Sequence, residues 1–467
     1  MKRSHLSTIL CLTPLVLTLW TAAPVHAEAS DDAWPSFRGP HAQGIADGQG
    51  LPTTFDVKSS KNVRWRTAIP GLGHSSPVVW GEQIFVTTAE STAATDIVLG
   101  DEGGIDLAED STEHVWKILA IHPEDGRILW TREAHRGVPG IKRHVKASQV
   151  NATPATDGKT LAAVLGPQRL FAFDMDGTVR WSADLGTLDP GLFGDPTSQW
   201  GHASSPIVVG NRVIVQVDRH ENSFLAAYDA KTGQQIWRVE RDERPIWATP
   251  TYFDGAGRQE LIVMGGYFNR GYRLEDGKEI WRVADDAQVK TPTAFVAGDR
   301  IILGGGYRGR PLFAVRTGGE GDLTPPEGAE TGGHILWRTE AGGPYTSTPI
   351  AYGEHLFSVT DKGILNVYEL ATGKRLHRVR TDEHFSASPV ASDGHLYFAG
   401  EGGTLLVVAA GPELEIVAQN TVGESLMATP AIAHGTLYVR SSKALYAIAT
   451  VEEPTKPEKS EDQATSR

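Results

Sequence analysis

Short apolar stretches alternate with polar turns along most of the chain, and the pattern is clearest over residues 204–237. Val213, Val215 and Val217 alternate with other side chains, which is the period of a half-buried strand. Similar apolar stretches lie before these valines, at residues 206–209, and after them, at residues 224–228. The sequence Asp-Ala-Lys-Thr-Gly at residues 229–233 is typical of a tight turn. Residues 204–237 therefore predict four antiparallel strands that form one small sheet.

The same unit recurs along the chain, and each copy opens with Ser or Thr followed by Pro. The eight prolines, spaced 40 to 77 residues apart, are Pro77, Pro154, Pro206, Pro250, Pro292, Pro349, Pro389 and Pro430. The closing positions hold Trp130, Trp181, Trp237, Trp281, Trp337, His377 and Val417. Trp65, which precedes the first copy, supplies the eighth. We predict an all-β, eight-bladed β-propeller of four-stranded antiparallel blades, closed by the N-terminal strand near Trp65.

The closing tryptophans have a structural role that needs no cofactor. A tryptophan at the end of an outer strand can lie flat between adjacent blades and bury on the order of 200 Å² of surface. We expect the junctions at His377 and Val417 to be weaker than the others.

Residues 1–27 have the features of a secretory signal peptide. Lys2 and Arg3 precede an apolar stretch, and the small residue Ala27 suits a cleavage site. The apolar stretch is too short for a transmembrane segment. The single cysteine, Cys11, lies within it, so we expect no disulfide and no lipid anchor after cleavage. The sequence therefore predicts a periplasmic or secreted protein.

The remaining chain divides into three parts. Residues 28–61 form an N-terminal arm, and we expect its aromatic side chains to pack on the outside of the ring. Residues 62–450 form the propeller, and its long insertions at residues 89–114 and 318–333 are predicted to be exposed loops. Residues 451–467 are charged and poor in apolar side chains, which predicts a disordered tail.

The net charge limits the classes of partner. The formal charge is −13, and removal of Lys2 and Arg3 with the signal peptide makes it −15. This acidity disfavours nucleic acids as partners and favours a soluble protein, which we expect to be a monomer.

Candidate binding residues lie just before the innermost strand of each blade, where the chain reaches the axial channel. Residues two to four positions before the prolines include His74, Asn151, His202, Trp247, Lys290, Tyr345 and Phe385, and two long loops between blades add His144 and Lys146. Polar groups that converge between apolar walls are typical of a ligand site. The alternative is a channel filled with water. No catalytic motif is present, and the histidines lack metal-ligand spacing, so we predict no metal site and assign no catalytic residue.

The pattern Ala-x-Asp-x-x-Thr-Gly-x-x-x-Trp, complete in residues 227–237, resembles the tryptophan-docking motif of pyrroloquinoline quinone (PQQ)-like propellers. The resemblance covers roughly residues 62–449. This superfamily contains both quinoprotein dehydrogenases and the outer-membrane assembly factor BamB. The resemblance thus implies the propeller fold, and it leaves open whether the protein is an enzyme.

Three functions are compatible with this resemblance. The first is a binding or scaffold protein of the cell envelope, with envelope proteins or a small-molecule or glycan ligand as partners. The second is a PQQ-dependent dehydrogenase with Ca²⁺, in which Lys290, Lys146 and Arg308 would bind the cofactor's carboxylates and Trp247 would stack on its ring. The third is a periplasmic carbohydrate- or anion-binding protein. The absence of acidic residues from the candidate positions does not match the dehydrogenases.

Overall fold

The computed structural model describes residues 33–93, 97–100, 104–192, 194–285, 287–307, 311–339 and 341–451. The predicted signal peptide and nearly all of the predicted tail lie outside these ranges. Within them the fold is almost entirely β, and the single helix is the 3-10 turn Pro40–Ala42. No helix in this part of the chain is long and apolar enough to cross a membrane.

Eight consecutive antiparallel sheets form a ring in the described part of the chain, which confirms the predicted eight-bladed propeller. From the axis outwards, the strands of the first four blades are Val78–Trp80, Gln83–Ser91, His114–Ile121 and Ile128–Gly137; Ala155–Thr156, Leu161–Leu165, Arg169–Phe173 and Val179–Asp184; Ile207–Val209, Arg212–Val217, Ser223–Asp229 and Gln235–Arg241; Thr251–Gly255, Arg258–Val263, Phe268–Arg273 and Glu279–Ala284.

Blades 5 to 8 follow the same order. Their strands are Phe295–Ala297, Arg300–Gly304, Leu312–Arg316 and Ile335–Arg338; Ile350–Tyr352, His355–Val359, Ile364–Glu369 and Arg375–Arg380; Val390–Ser392, His395–Ala399, Thr404–Ala409 and Ile416–Thr421; Ala431–Ala433, Thr436–Arg440, Ala444–Ile448 and Val63–Ala68. Outside the blades, Leu107–Ala108 pairs with Arg143–His144.

The N-terminal strand closes the ring, as predicted. Val63–Ala68 is the outer strand of blade 8 and pairs antiparallel with Ala444–Ile448, with Trp65 opposite Ala447. One sheet thus joins the two ends of the propeller, so the last blade is completed and the strand Ala444–Ile448 has no free edge.

The closing tryptophans contact the next blade at the glycine of its outermost turn. The Trp181 indole N–H donates to the carbonyl of Ala230 at 3.0 Å, and that of Trp237 donates to Leu274 at 3.1 Å. Gly233 has φ +73°, and a Cβ there would lie 2.7 Å from the Trp181 ring. The turn glycine therefore both adopts positive φ and leaves space for the indole. The equivalent pairs are Trp65 with Gly126, Trp130 with Gly177, Trp237 with Gly277 and Trp337 with Gly373.

Trp281 differs because blade 5 carries a long insertion in place of this turn. Its indole N–H donates to the Glu260 carboxylate of its own blade at 3.2 Å, and its side chain is still buried. Gly321–Asp322 of the insertion pairs in parallel with the strand that contains Trp281. The insertion is largely exposed, as predicted, but it also adds a fifth strand that covers the edge of blade 4.

The N-terminal arm crosses one end of the ring, so the prediction that it packs on the outside is wrong. Trp34 is fully buried and pairs with Val79 of blade 1. The Ala46 N–H donates to Ala391 of blade 7 at 3.0 Å. Blades 1 and 7 are joined by the arm because the axial opening offers apolar inner strands that Trp34 can pack against.

Candidate axial ligand-binding site

A hydroxyl group just before each inner strand joins neighbouring blades. The Ser76 N–H donates to Thr153 Oγ1 of blade 2 at 2.9 Å, and the Thr153 N–H donates to Ser205 Oγ of blade 3 at 2.9 Å. Five more links of this kind, at 2.9 to 3.1 Å, run through Thr249, Thr293, Thr348, Ser388 and Thr429. We call these eight residues the hydroxyl belt. The repeated Ser/Thr of the opening pairs thus encircles the axis.

Blade 5 shows that the hydroxyl matters more than the proline. The residue that enters the belt is Thr293, whose N–H donates to Thr348 Oγ1 at 3.0 Å. The sequence-based register used Thr291-Pro292, which lies two residues too early. Ala294 occupies the position that proline has in the other blades. The candidate positions in blade 5, which were counted from Pro292, therefore have to be counted from Ala294, two residues later.

The extended segment before each inner strand alternates between the axis and the blades, as the period of two requires. The belt residues lie one position before the proline. The residues that lie three positions before the proline, or before its blade 5 equivalent, form a second layer along the axis. They are His74, Asn151, Ala203, Trp247, Thr291, Thr346, Ser386 and Met427. Most residues at intervening positions are turned into the blades.

These two layers surround a cavity of about 1000 Å³ on the axis. Phe37 of the arm contributes to its lining, next to the buried Arg38. The Arg38 guanidinium donates to five backbone carbonyls, which include Pro349 at 2.9 Å in blade 6 and Pro389 at 3.1 Å in blade 7. The arm is therefore the floor of the cavity and is fixed to the inner strands.

Three loop segments, residues 97–108, 141–147 and 190–201, form a roof over the opposite end where they are described. His144 N donates to the Trp200 carbonyl at 3.3 Å and joins two of these segments. Glu401 of blade 7 accepts hydrogen bonds from Lys146 Nζ at 2.7 Å and Gly100 N at 2.8 Å, and it is only 1% exposed. Part of the insertion in blade 1, predicted to be an exposed loop, therefore covers the axis and reaches blade 7.

Aromatic side chains form one side of the cavity. Trp200 of the roof stacks on Trp247 with ring centroids 5.8 Å apart, and the Trp247 indole N–H donates to the Gly201 carbonyl at 2.6 Å. Tyr307 and Tyr345 form a second pair, with ring centroids 5.7 Å apart. These rings provide apolar faces beside the polar belt, a combination that can bind a small organic ligand.

Six of the nine candidate residues line the cavity together. They are His74, His144, Lys146, Asn151, Trp247 and Tyr345. Two of them belong to the roof and already have partners within the described chain. Lys146 is paired with Glu401, and His144 Nε2 lies 3.0 Å from the carbonyl of Gly104.

The other three candidates do not line this cavity. Lys290 is fully buried, and its ammonium donates to Asp285 at 2.5 Å and to Asn269 at 3.1 Å. Phe385 is fully buried and packs edge-on against Phe398. His202 is likewise turned away from the axis. Each lies four positions before the proline, or at its blade 5 equivalent, where the side chain faces the blade; Tyr345, at the same position in blade 6, is the exception and lines the cavity.

Burial determines the protonation of several groups at the cavity. It lowers the pKa of His74 to about 3, with smaller effects from Arg440 and Arg143, so the imidazole is neutral at pH 7. Burial also lowers the pKa of His144. It raises the pKa of Tyr345 to about 12, so the phenol keeps its proton. These three groups therefore contribute hydrogen-bonding capacity without charge.

Several residues that were not predicted from the sequence reach the cavity from other loops. Asp361, Lys362 and His384 line it, and Glu401 lies behind its wall. Asp361 and Glu401 occupy the hairpins after the second strands of blades 6 and 7. The sequences Thr-Asp-Lys-Gly at residues 360–363 and Gly-Glu-Gly-Gly at residues 400–403 are turn signals at equivalent places, and this recurrence could have identified them.

Comparisons with known proteins agree with this architecture. The chain is 23% identical to the outer membrane protein assembly factor BamB of Burkholderia pseudomallei over 43% of this chain and 60% of the relative. It is 26% identical to methanol dehydrogenase [cytochrome c] subunit 1 of Methylobacterium organophilum over 32% of this chain and 29% of the relative. It therefore spans less than two thirds of either relative.

Among solved structures, the quinohemoprotein alcohol dehydrogenase from Comamonas testosteroni matches with a TM-score of 0.61 and 12% sequence identity. The match covers 92% of this chain and 83% of that one. At this identity the likeness shows the fold alone.

The blades, the docked tryptophans and the axial cavity define a PQQ-like repeat propeller. The family model described as outer membrane protein assembly factor BamB matches residues 116–248, 221–319 and 275–463. These matches run over well more than half of the chain, which therefore belongs to this family.

Proposed function

We propose that this protein binds a small ligand in the axial cavity and acts as a binding or scaffold protein of the cell envelope. The observation that carries the proposal is the form of the cavity: about 1000 Å³, with the arm as its floor and three loop segments as its roof. A concave site with aromatic walls and a few converging polar groups suits a small organic molecule.

The cellular setting is part of the same proposal. Residues 1–27 direct export, residues 28–61 are the arm, residues 62–450 are the propeller, and residues 451–467 are a tail. The exported protein is a monomer in the periplasm or outside the cell. Envelope proteins are candidate partners because a relative is named as an outer membrane protein assembly factor. Nucleic acid is not a partner, given the charge of −13.

A PQQ-dependent dehydrogenase is the second candidate, favoured by the partial sequence match to methanol dehydrogenase [cytochrome c] subunit 1 and by Trp247 at the cavity wall. The proposed cofactor-binding cations fit less well. Lys290 lies outside the cavity, Lys146 is paired with Glu401, and Arg308 is outside the described residues. The described residues contain no cluster of three His, Cys, Asp or Glu side chains suited to a metal ion such as Ca²⁺. We therefore derive no catalytic step through PQQ.

The experiment that tests the proposal is a calorimetric titration of the protein without residues 1–27. The probes are PQQ with and without Ca²⁺, mono- and oligosaccharides, and small carboxylates and phosphates. We expect at least one probe to bind wild-type protein with micromolar or tighter affinity. Thr291→Trp should abolish that binding, because Thr291 faces the cavity and makes no hydrogen bond through its side chain within the described chain.

The matched control is Val179→Trp, which adds the same side chain on the outer strand of blade 2, where Val179 is 46% exposed. It should bind the probe as wild-type protein does. If every probe that binds also binds equally well to Thr291→Trp, the axial cavity is not the ligand site. Tight PQQ binding that Thr291→Trp abolishes would favour the quinoprotein alternative.

A further inference from the structure

The hydroxyl belt has a gap where blade 8 meets blade 1. At seven junctions the N–H of one belt residue donates to the hydroxyl oxygen of the next, but no such bond joins Thr429 N to Ser76 Oγ. By equivalence with the seven formed links, these two groups occupy corresponding positions on the two sides of the junction. Both residues line the cavity, and neither group has another hydrogen-bond partner within the described chain. Two donors at this gap are therefore available to a ligand.

A buried positive charge lies directly behind the gap. The Arg440 guanidinium is 2% exposed and donates to the Ser75 carbonyl at 2.8 Å, to the Ser75 hydroxyl and to the Thr87 carbonyl at 2.7 Å. In the portion of the chain that is described, no carboxylate forms an ion pair with it. Burial lowers the pKa of Arg440 to about 9, so it keeps its charge at pH 7. A fully buried arginine without a counter-charge is unusual in proteins.

A second unpaired arginine lies in the floor. Arg38 is fully buried, and its partners are backbone carbonyls of the arm and of blades 6 and 7. Among the described residues it also has no carboxylate partner, and burial leaves the pKa of Arg38 at about 9. Two uncompensated charges therefore lie beside the cavity, Arg440 behind the gap and Arg38 in the floor at blades 6 and 7, in a protein whose net charge is −13.

His74 completes the wall at the same junction. It lies in the layer next to Ser76, and its Nε2 atom is buried without a hydrogen-bond partner. Its neutral imidazole is consistent with a nearby positive charge, because Arg440 contributes to the lowered pKa of His74. A buried polar atom without a partner indicates that a ligand or a water molecule is still to be accounted for.

We propose that the gap in the hydroxyl belt, at Ser76 and Thr429, binds an anionic oxygen group, a carboxylate or a phosphate of the axial ligand. This inference rests on the proposed ligand-binding function of the cavity and names the chemistry of its ligand. The Ser76 hydroxyl and the Thr429 N–H donate to the anion. Arg440 makes no contact with it but stabilises its charge, because charges interact strongly where water is excluded.

The gap coincides with the contact between Arg440 and the inner segment of blade 1. Arg440 binds the carbonyl of Ser75, and this residue separates His74 of the second layer from Ser76 of the belt. The inner segment of blade 1 is thus held against a guanidinium group. Ser76 is the one belt residue in the described chain whose hydroxyl oxygen does not accept a belt hydrogen bond.

The test is a calorimetric titration with three probes: inorganic phosphate, citrate and uncharged maltose. We expect phosphate and citrate to bind wild-type protein and maltose not to compete with them. Ser76→Ala should weaken phosphate binding about tenfold, the scale of one hydrogen bond to a charged group. Arg440→Met should weaken it at least as much, whereas Arg440→Lys, which keeps the charge, should retain part of the affinity. Comparison of phosphate with citrate distinguishes the two kinds of oxyanion.

Thr131→Val is the matched control, since it removes a hydroxyl on the exposed outer strand of blade 1, away from the cavity. It should bind phosphate as wild-type protein does. If Arg440→Met does not fold, Ser76→Ala decides the question. The inference is wrong if neither anion binds, or if Ser76→Ala and Thr131→Val bind phosphate equally well. Binding of maltose that Thr291→Trp blocks, with no binding of either anion, would contradict the anion site and leave the proposed cavity function intact.

Discussion

At the scale of single residues, the repeat is determined by contacts that each blade makes with the next. The turn glycine of one blade receives the tryptophan of the preceding blade, and the belt hydroxyl of one blade accepts the N–H of the preceding blade. Each position is thus constrained by a partner roughly one repeat away in the sequence. This explains why the two motifs recur together.

Substitution of a docking glycine tests this coupling. Gly233→Ala should destabilise the fold by about 2 to 4 kcal/mol, because positive φ costs a non-glycine residue about 1 kcal/mol and the added Cβ would lie 2.7 Å from the Trp181 ring. Urea unfolding measures the change. Gly210→Ala is the control, since Gly210 also has positive φ in a turn of the same blade but has no atom within 4 Å of the added Cβ. Equal losses in the two variants would contradict the docking role.

At the scale of elements, two segments outside the blades determine the form of the site. The arm forms the floor and the loop segments form the roof, although the sequence pattern predicted peripheral packing for the first and exposure for part of the second. Both are irregular segments, so their sequences carry no periodicity from which a position could be inferred. Their placement depends on long-range contacts such as Arg38 with Pro389 and Lys146 with Glu401.

The arm should be held mainly by Trp34. Trp34→Ala should lower the free energy of unfolding by about 3 to 5 kcal/mol, as loss of a fully buried tryptophan does, and should make residues 33–61 sensitive to protease. Urea unfolding and limited proteolysis with mass spectrometry measure both effects. Val57→Ala, a smaller change at a partly buried position in the same arm, should keep the wild-type cleavage pattern. Full protease resistance of Trp34→Ala would contradict the anchoring role.

At the scale of the whole molecule, the ring depends on one sheet that contains both ends of the propeller. Val63–Ala68 completes blade 8 around Ala444–Ile448, and the Trp65 indole N–H donates to the Pro123 carbonyl of blade 1 at 2.8 Å. The strand and its tryptophan thus join blade 8 to blade 1. Without this strand, the last blade would expose an unpaired edge.

Two truncated proteins test the closure. A variant that begins at residue 69 lacks the closing strand and should associate or aggregate, because the edge of Ala444–Ile448 is then free to pair with another chain. A variant that begins at residue 62 lacks the arm but keeps the strand, and it should be mainly monomeric. Size-exclusion chromatography with light scattering compares them. Monodisperse, folded monomer from the shorter variant would show that closure does not need this strand.

Much of the fold could be predicted because its determinants are local and repeated. The opening Ser/Thr-Pro pairs and the closing tryptophans were sufficient to count eight blades and to assign Trp65 to the last one. The site was predicted in part. His74, Asn151 and Trp247 face the axis, but Lys290 and Phe385 do not, because the Ser/Thr-Pro pairs locate the segment before each inner strand without indicating which of its alternating residues face the axis.

The sequence by itself thus determined the number of blades, their strand pattern and the closure of the ring, because these follow from periods of two residues and of about one blade. The tertiary structure alone decided which side chains from distant segments of the chain meet at the axis. The pairing of Lys146 with Glu401, the floor at Phe37, and the gap between Thr429 and Ser76 beside Arg440 all join residues that are far apart in the chain. No local pattern encodes such proximity. It arises when the ring closes and brings blade 8 against blade 1.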